Sequence, residues 1–434
     1  MNSVEAPGRQ RWLRLIPIVF VTYSLAYLDR SNFSIATAGG MAQELHLTSA
    51  TSGRIASSFF LGYFLLQVPG VLYADRRSVR SLIFWSVLAW GVLATAQGLL
   101  SSVPVLIAVR FLLGAVEAAV LPALVVLLAR WFTKAERGRA NAFLILGNPV
   151  TVMWLSALSG YLIEATSWRG MFIVEGVPAL IWAFVFRAQV RDRPADTPWL
   201  DPASRAVVER AIAEEQAQLP KPAARPVRDV LRSKAVLVLS AQYLLWSIGV
   251  YGFVFWLPSI VKAGSSAGIG ATGLLSAIPY AFAVVGMLVN SRGSDRSGAR
   301  RRYVWPWLLG GAVAFYGSYL LGQHHFWWAF VLLAIAAVAL YAPYGPFFAM
   351  ISELLPQRTA AVAVAVVNAA GALGGFLGTY LVGWLENATG STAAAFLMLA
   401  GTMAAAAVLV LAVPVKAPGP VAAEVSVKAK ERRV

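Results

Sequence analysis

Residues 13–38 read LRLIPIVFVTYSLAYLDRSNFSIATA, an apolar stretch of the length that crosses a bilayer, with Asp29 and Arg30 set deep inside it. A charge at the centre of a membrane helix costs roughly 2.5–3.5 kcal/mol on insertion scales. Such residues therefore face a bundle interior, pair with one another and mark the path of an ion or substrate. The fourth apolar stretch repeats the anomaly with Arg110 and Glu117. Two acids beside two arginines suggest a proton coupled to an anion.

The rest of the chain fits a membrane setting. Of 434 residues 59% are hydrophobic and 13% charged, and apolar runs of about 20 residues recur from end to end. Twelve spans are read, over 13–38, 50–74, 81–99, 103–130, 138–164, 168–187, 235–262, 269–291, 302–322, 325–352, 357–385 and 391–415. Runs this long without strand alternation satisfy their backbone polar groups only as helices. The first span is too long for a cleaved signal, has no small-residue cleavage site, and stays as a membrane helix. The chain has no cysteine, which excludes disulfides, thiolate metal sites and thiol catalysis.

The formal charge of +16 is unevenly spread. Arg9, Arg11 and Arg14 precede the first span, Arg76, Arg77 and Arg80 follow the second, and Arg130, Lys134, Arg137 and Arg139 follow the fourth. The 188–234 connection, the Arg292 to Arg302 cluster and the tail through Arg433 continue the series, while the intervening loops carry almost none. This asymmetry places both termini and the central loop in the cytoplasm. The basic residues read as topology determinants and lipid-headgroup contacts, and no nucleic-acid partner is expected.

The expected fold class is an all-α membrane protein, twelve transmembrane helices in two pseudo-symmetric six-helix bundles. Residues 1–187 form the first, 188–234 a polar, proline-bearing linker whose stretch 203–218 can form a surface helix, and 235–434 the second bundle with its basic tail. A weak repeat supports the division: Tyr73-Ala-Asp75-Arg76-Arg77 follows the second span and Arg292-Gly-Ser-Asp295-Arg296 follows the eighth. Two similar halves imply a cavity between them near mid-membrane, opened alternately to each side.

The stretch Gly70 to Arg80, with its Asp75-Arg76-Arg77 core, resembles the loop signature of the major facilitator superfamily. Tyr27-Leu-Asp29-Arg30-Ser-Asn32, Arg110-Phe-Leu-Leu-Gly114-Ala-Val-Glu117, Trp131-Phe-Thr-Lys-Ala-Glu136-Arg137 and Trp168-Arg169-Gly-Met-Phe172-Ile-Val-Glu175-Gly176 resemble its anion:cation symporter branch. Ser247-Ile-Gly-Val-Tyr251 through Pro258, and Tyr341-Ala-Pro343-Tyr344-Gly-Pro346, look most like bacterial 2-ketogluconate and related sugar-acid transporters. The resemblance implies a monomeric, proton-coupled importer of a sugar-acid anion in the bacterial inner membrane, with no cofactor beyond the proton gradient. It links Asp29 and Glu117 to protonation and Arg30 and Arg110 to anion handling and charge pairing. It puts Tyr27 and Tyr63 on the site wall, and Asp75, Arg76, Asp295 and Arg296 in gating loops.

Arg110 and Glu117 are seven residues apart and share a helix face about 10 Å apart along the axis. A static buried ion pair is the bland reading; the second acid and base at Asp29 and Arg30 exceed what architecture needs. Arg offers a planar fork matched to a carboxylate and stays charged at working pH, and Arg30 is the first choice for the substrate carboxylate. The second half brings no ionisable residue to mid-membrane. Its polar residues Gln242, Tyr243, Trp246, Tyr280, Tyr341, Tyr344 and Asn368 suit hydroxyl groups, each aromatic being also readable as packing. Asn148 either lines the cavity or repairs the backbone beside Pro149.

Gly371, Gly374, Gly375 and Gly378 read as close helix packing, not a phosphate loop, since strand context is missing. His46, His324 and His325 fall near loop ends. No metal cluster and no nucleophile–base pair point to an enzyme. An exporter or exchanger using the same residues, a carrier of another carboxylate such as tartrate or an aromatic acid, and a non-transporting sensor remain as alternatives.

Overall fold

Apolar runs with no alternating pattern satisfy their backbone polar groups within one segment, and the computed structural model has helix where those runs fall. It describes residues 8–76, 78–218, 232–322, 325–354 and 357–413, and no strand occurs among them. The first half holds α1 Gly8–Ala36, α2 Ser49–Arg76, α3 Val79–Gln97, α4 Val103–Glu117, α5 Val120–Trp131, α6 Lys134–Ala165 and α7 Trp168–Gln189. The linker forms α8 Pro202–Gln218. Next come α9 Lys234–Ser265, α10 Ile269–Ser297, α11 Trp305–Leu321, α12 Phe326–Tyr341, α13 Tyr344–Leu354, α14 Gln357–Thr389 and α15 Ala393–Leu411.

Among the described residues eleven spans are long and apolar enough to cross a membrane, with α4 and α5 counted as one. The 28-residue α2, some of whose side chains lie outside the described residues, is the twelfth. Large apolar side chains such as Trp85, Ile181, Val313 and Trp328 are each more than 60% exposed, a surface suited to lipid rather than water.

Two interruptions match between the halves. Pro122 has no N–H to offer the carbonyl of Ala118, and the fourth span breaks between α4 and α5 directly after Glu117. Pro346 stands in the same relation to Ala342, and the tenth span breaks between α12 and α13. The first span continues past Ala36 through a wide turn at Thr37–Met41, where Gly40 takes φ +114°, a conformation a side chain would oppose.

The halves meet where α2 packs on α14 and α6 on α10. A Cβ at Gly383 would lie 2.3 Å from the Ser49 carbonyl oxygen, and one at Gly273 would lie 2.2 Å from that of Ser156. These approaches all occur at the end bearing the 45–48, 266–268 and 390–392 connections, opposite the linker. There Lys262 Nζ also donates to the Ala38 carbonyl, tying α9 to the first span. The two halves are thus closed on each other at that end.

The linker is held against the first half. Trp199 stacks on Trp131 with ring centroids 5.5 Å apart, and Arg137 pairs with Glu215 of α8 at 3.1 Å. The α8 bounds agree with the surface helix expected at 203–218.

Candidate functional site

The four membrane charges converge. Arg30 Nε donates to Glu117 Oε2 at 3.2 Å, although 87 residues separate them, and the Glu117 side chain is fully buried. Arg110, seven residues before Glu117 on the same helix, does not pair with it. Its Nη1 instead donates to the Asp29 backbone carbonyl at 2.9 Å, while Asp29 itself is 1% exposed. The static pair within one helix, allowed for by spacing alone, is therefore replaced by a bridge from α1 to α4.

Aromatic rings enclose both guanidinium groups. Arg30 lies over Tyr63 at 4.5 Å and Tyr27 at 4.9 Å from the ring centroids, and Arg110 over Phe33 at 4.6 Å. A cation on a ring face away from water gains roughly 2 kcal/mol, which offsets part of the burial penalty and leaves the forks free to bond a carboxylate. Glu117 Oε1, Asp29 Oδ1 and Arg110 Nε are buried with no protein partner. Buried polar atoms need partners, so this spare bonding capacity fits a charged, hydroxylated ligand.

A cavity between the halves is lined by Tyr27, Arg30, Ser31, Ala56, Phe60 and Arg110 from the first half. Tyr251, Val254, Phe255, Tyr341 and Thr379 line it from the second. Tyr27 and Tyr251 hydroxyls meet across it at 3.4 Å. Tyr251 stands inside the motif 247–258, whose residue types alone assign it no role. The signal was the spacing of Tyr243, Ser247 and Tyr251, a polar stripe at every fourth residue of α9.

The second-half candidates lie elsewhere. Gln242, Trp246, Tyr344 and Asn368 sit roughly one to three helical turns nearer the linker end than Tyr251, Tyr341 and Thr379. Gln242 is fully buried with neither amide atom paired, and Asn368 is half-buried on α14. Trp246 donates Nε1 to the Leu340 carbonyl at 3.0 Å and packs on Tyr344 at 4.6 Å, so its N–H is already committed to protein. Asn148 is buried in α6 with Oδ1 unpartnered.

The side chains of Asp75 and Arg76 and all of Arg77 lie outside the described residues. In the matching loop Asp295 is bound by Arg300, which also reaches Glu353 of α13 at 2.9 Å; Arg296 is exposed. The residue that bonds Asp295 in this loop is Arg300, five residues on.

Broken spans placed alike in the two halves, an interface cavity and buried charges in one half define the class: a membrane carrier. The Major Facilitator Superfamily model matches residues 19–379, and the chain belongs to that family of transporters, which are not enzymes. A putative tartrate transporter of Agrobacterium vitis is 31% identical over 93% of this chain and 90% of its own length. A quinolone resistance transporter of Acinetobacter baumannii is 28% identical over 90% and 91%, and a D-galactonate transporter of Escherichia coli 26% over 90% and 93%. The crystal structure of a D-xylose–proton symporter superposes with a TM-score of 0.74 at 14% identity, covering 92% of this chain and 97% of that one.

Proposed function

We propose that the chain is a proton-coupled symporter importing a sugar-acid monoanion, 2-ketogluconate or a related hexonate, by alternating access. The observation that carries the reading is the Arg30–Glu117 bridge at the wall of the interface cavity. A substrate carboxylate competes with the Glu117 carboxylate for the same fork; protonating Glu117 removes the competitor, so proton and anion bind together. Asp29, beside Arg110, is the second proton-carrying group. The tartrate and galactonate transporters among the relatives support an acidic, hydroxylated substrate. The basic loops make the linker end the cytoplasmic one in the bacterial inner membrane, so the closed end faces outward. The protein works as a monomer with the proton gradient as its only driving force.

The substrate is tested with a panel of hexonates, 2-ketohexonates, tartrate, an aromatic acid, a neutral hexose and a fluoroquinolone. Each is scored first for thermal stabilisation of the purified protein and then for uptake. A hexonate or ketohexonate should give the largest shift and be accumulated. Stabilisation by the fluoroquinolone alone would favour the exporter reading that the Acinetobacter relative suggests.

On this reading Gln242 and Asn368 meet the substrate hydroxyls along the route toward the linker end. Gln242→Ala and Asn368→Ala should each weaken binding by about 1–3 kcal/mol, the range for a buried partner left unsatisfied, with proton coupling retained. A deoxy analogue lacking the contacted hydroxyl should be discriminated by the parent protein and much less by the alanine variant. Equal relative losses in both would make these residues packing groups.

A further inference from the structure

A fifth ionisable side chain lies inside the first half and takes no part in the scheme above. Glu175 of α7 is 4% exposed. Ser159 of α6 donates to its Oε1 at 2.6 Å, and Asn32 Nδ2 of α1 donates to its Oε2 at 3.1 Å. Among the described residues no ion pair involves it, in contrast to Glu117. Asn32 stands three residues from the buried Asp29 on α1, so the two side chains are neighbours on one helix face.

Position along the membrane adds to this. Asn32 is one turn beyond Asp29 toward the closed end, and Glu175 lies seven residues from the start of α7, which is at that same end. The acids therefore stand in a row, with Glu175 between the closed end and Asp29. The elements packed on α7 bring little charge to it. The only charge on α3 is Arg80, at its opposite end; the Thr37–Met41 turn has none, and α6 offers Glu164, which is exposed, and basic residues at its far end. On α1 the nearest acid in sequence to Asn32 is Asp29, whose backbone carbonyl accepts from Arg110 of α4.

If three helices needed only a polar cross-link here, a glutamine would supply it without a buried acid, its oxygen accepting from Asn32 and its amide donating to a reoriented Ser159 hydroxyl. We propose that Glu175 is a further proton-binding site of the transport cycle. It takes one proton from water when the end closed here is open and releases one when the opposite end is open, with its charge state linked to that of Asp29 through Asn32. This rests on the proton-coupled reading, and the proton that binds Glu175 on one side is the one released on the other.

The test counts protons per substrate in proteoliposomes, using an internal pH dye and labelled substrate, for the parent protein, Glu175→Gln and Asn32→Ala. The proposal predicts that Glu175→Gln keeps substrate exchange near the parent rate while protons carried per substrate fall by one. An unchanged proton count with active Glu175→Gln would make Glu175 a structural cross-link and overturn the proposal. If Glu175→Gln is not monodisperse or does not exchange, Asn32→Ala, which keeps both acids but removes the Asn32 amide, decides. Its uphill uptake should fall severalfold with exchange retained, and unchanged uphill uptake overturns the proposal. Failure of the underlying reading looks different: the parent protein itself would then move substrate with no proton.

Discussion

Glu117→Gln should remove proton-driven accumulation while leaving substrate exchange across proteoliposomes in place. Glutamine mimics the protonated acid permanently, so Arg30 is released for substrate at every pH. In the parent protein, substrate binding should weaken as pH rises, because an ionised Glu117 reclaims Arg30, which it meets at 3.2 Å; in Glu117→Gln that dependence should flatten. The variant also leaves Arg30 unpaired in a low-dielectric site, a situation that typically costs about 3–5 kcal/mol, so its stability without substrate should drop and its gain on adding substrate should rise. Asp29→Asn should impair accumulation as well. Monodispersity and exchange activity are checked first, followed by uphill uptake and the pH dependence of binding. Undiminished uphill uptake in both variants would remove these acids from the coupling step.

Arg30→Lys is the second large expected effect. Lysine keeps the charge but loses the planar fork, and it cannot stack flat between Tyr27 and Tyr63 as the guanidinium does. Losing one charged hydrogen bond of about 1.5–3 kcal/mol corresponds to a fall in affinity of roughly tenfold to a hundredfold. Arg110→Lys should be milder: Arg110 Nη1 serves the Asp29 carbonyl, a contact that a single ammonium N–H can replace. Binding measured by titration calorimetry on both variants checks this. Near-native affinity in both would move the carboxylate site away from these arginines.

Much of the fold was legible because lipid imposes a simple rule: a run of about 20 apolar residues must be helical. The expected spans differ from the helices by a few residues, chiefly where a helix runs on past the apolar stretch, as α10 does to Ser297. The interruptions after Glu117 and Tyr341 were missed, since a proline within a membrane span does not by itself reveal a break. The four charges were visible as anomalies, yet their pairing was not. Spacing along one helix relates Arg110 to Glu117, whereas the bond that forms joins residues from different spans. Asn32 and Glu175 stood inside quoted motifs but gave no sign of contact, because 143 residues separate them. In the second half, an amide or phenol on an apolar helix says that a partner is needed, not where it is. Trp246 found its partner in the Leu340 carbonyl.

The central claim is that one fork, Arg30, is shared between Glu117 and the substrate carboxylate, so that anion and proton move together. The most direct measurement records internal pH in proteoliposomes holding the parent protein, with no gradient imposed, when a transported sugar acid is added outside. The account predicts that the interior acidifies as substrate enters, and that Glu117→Gln abolishes the acidification while exchange of labelled substrate continues. Substrate entry by the parent protein with internal pH unchanged would contradict it.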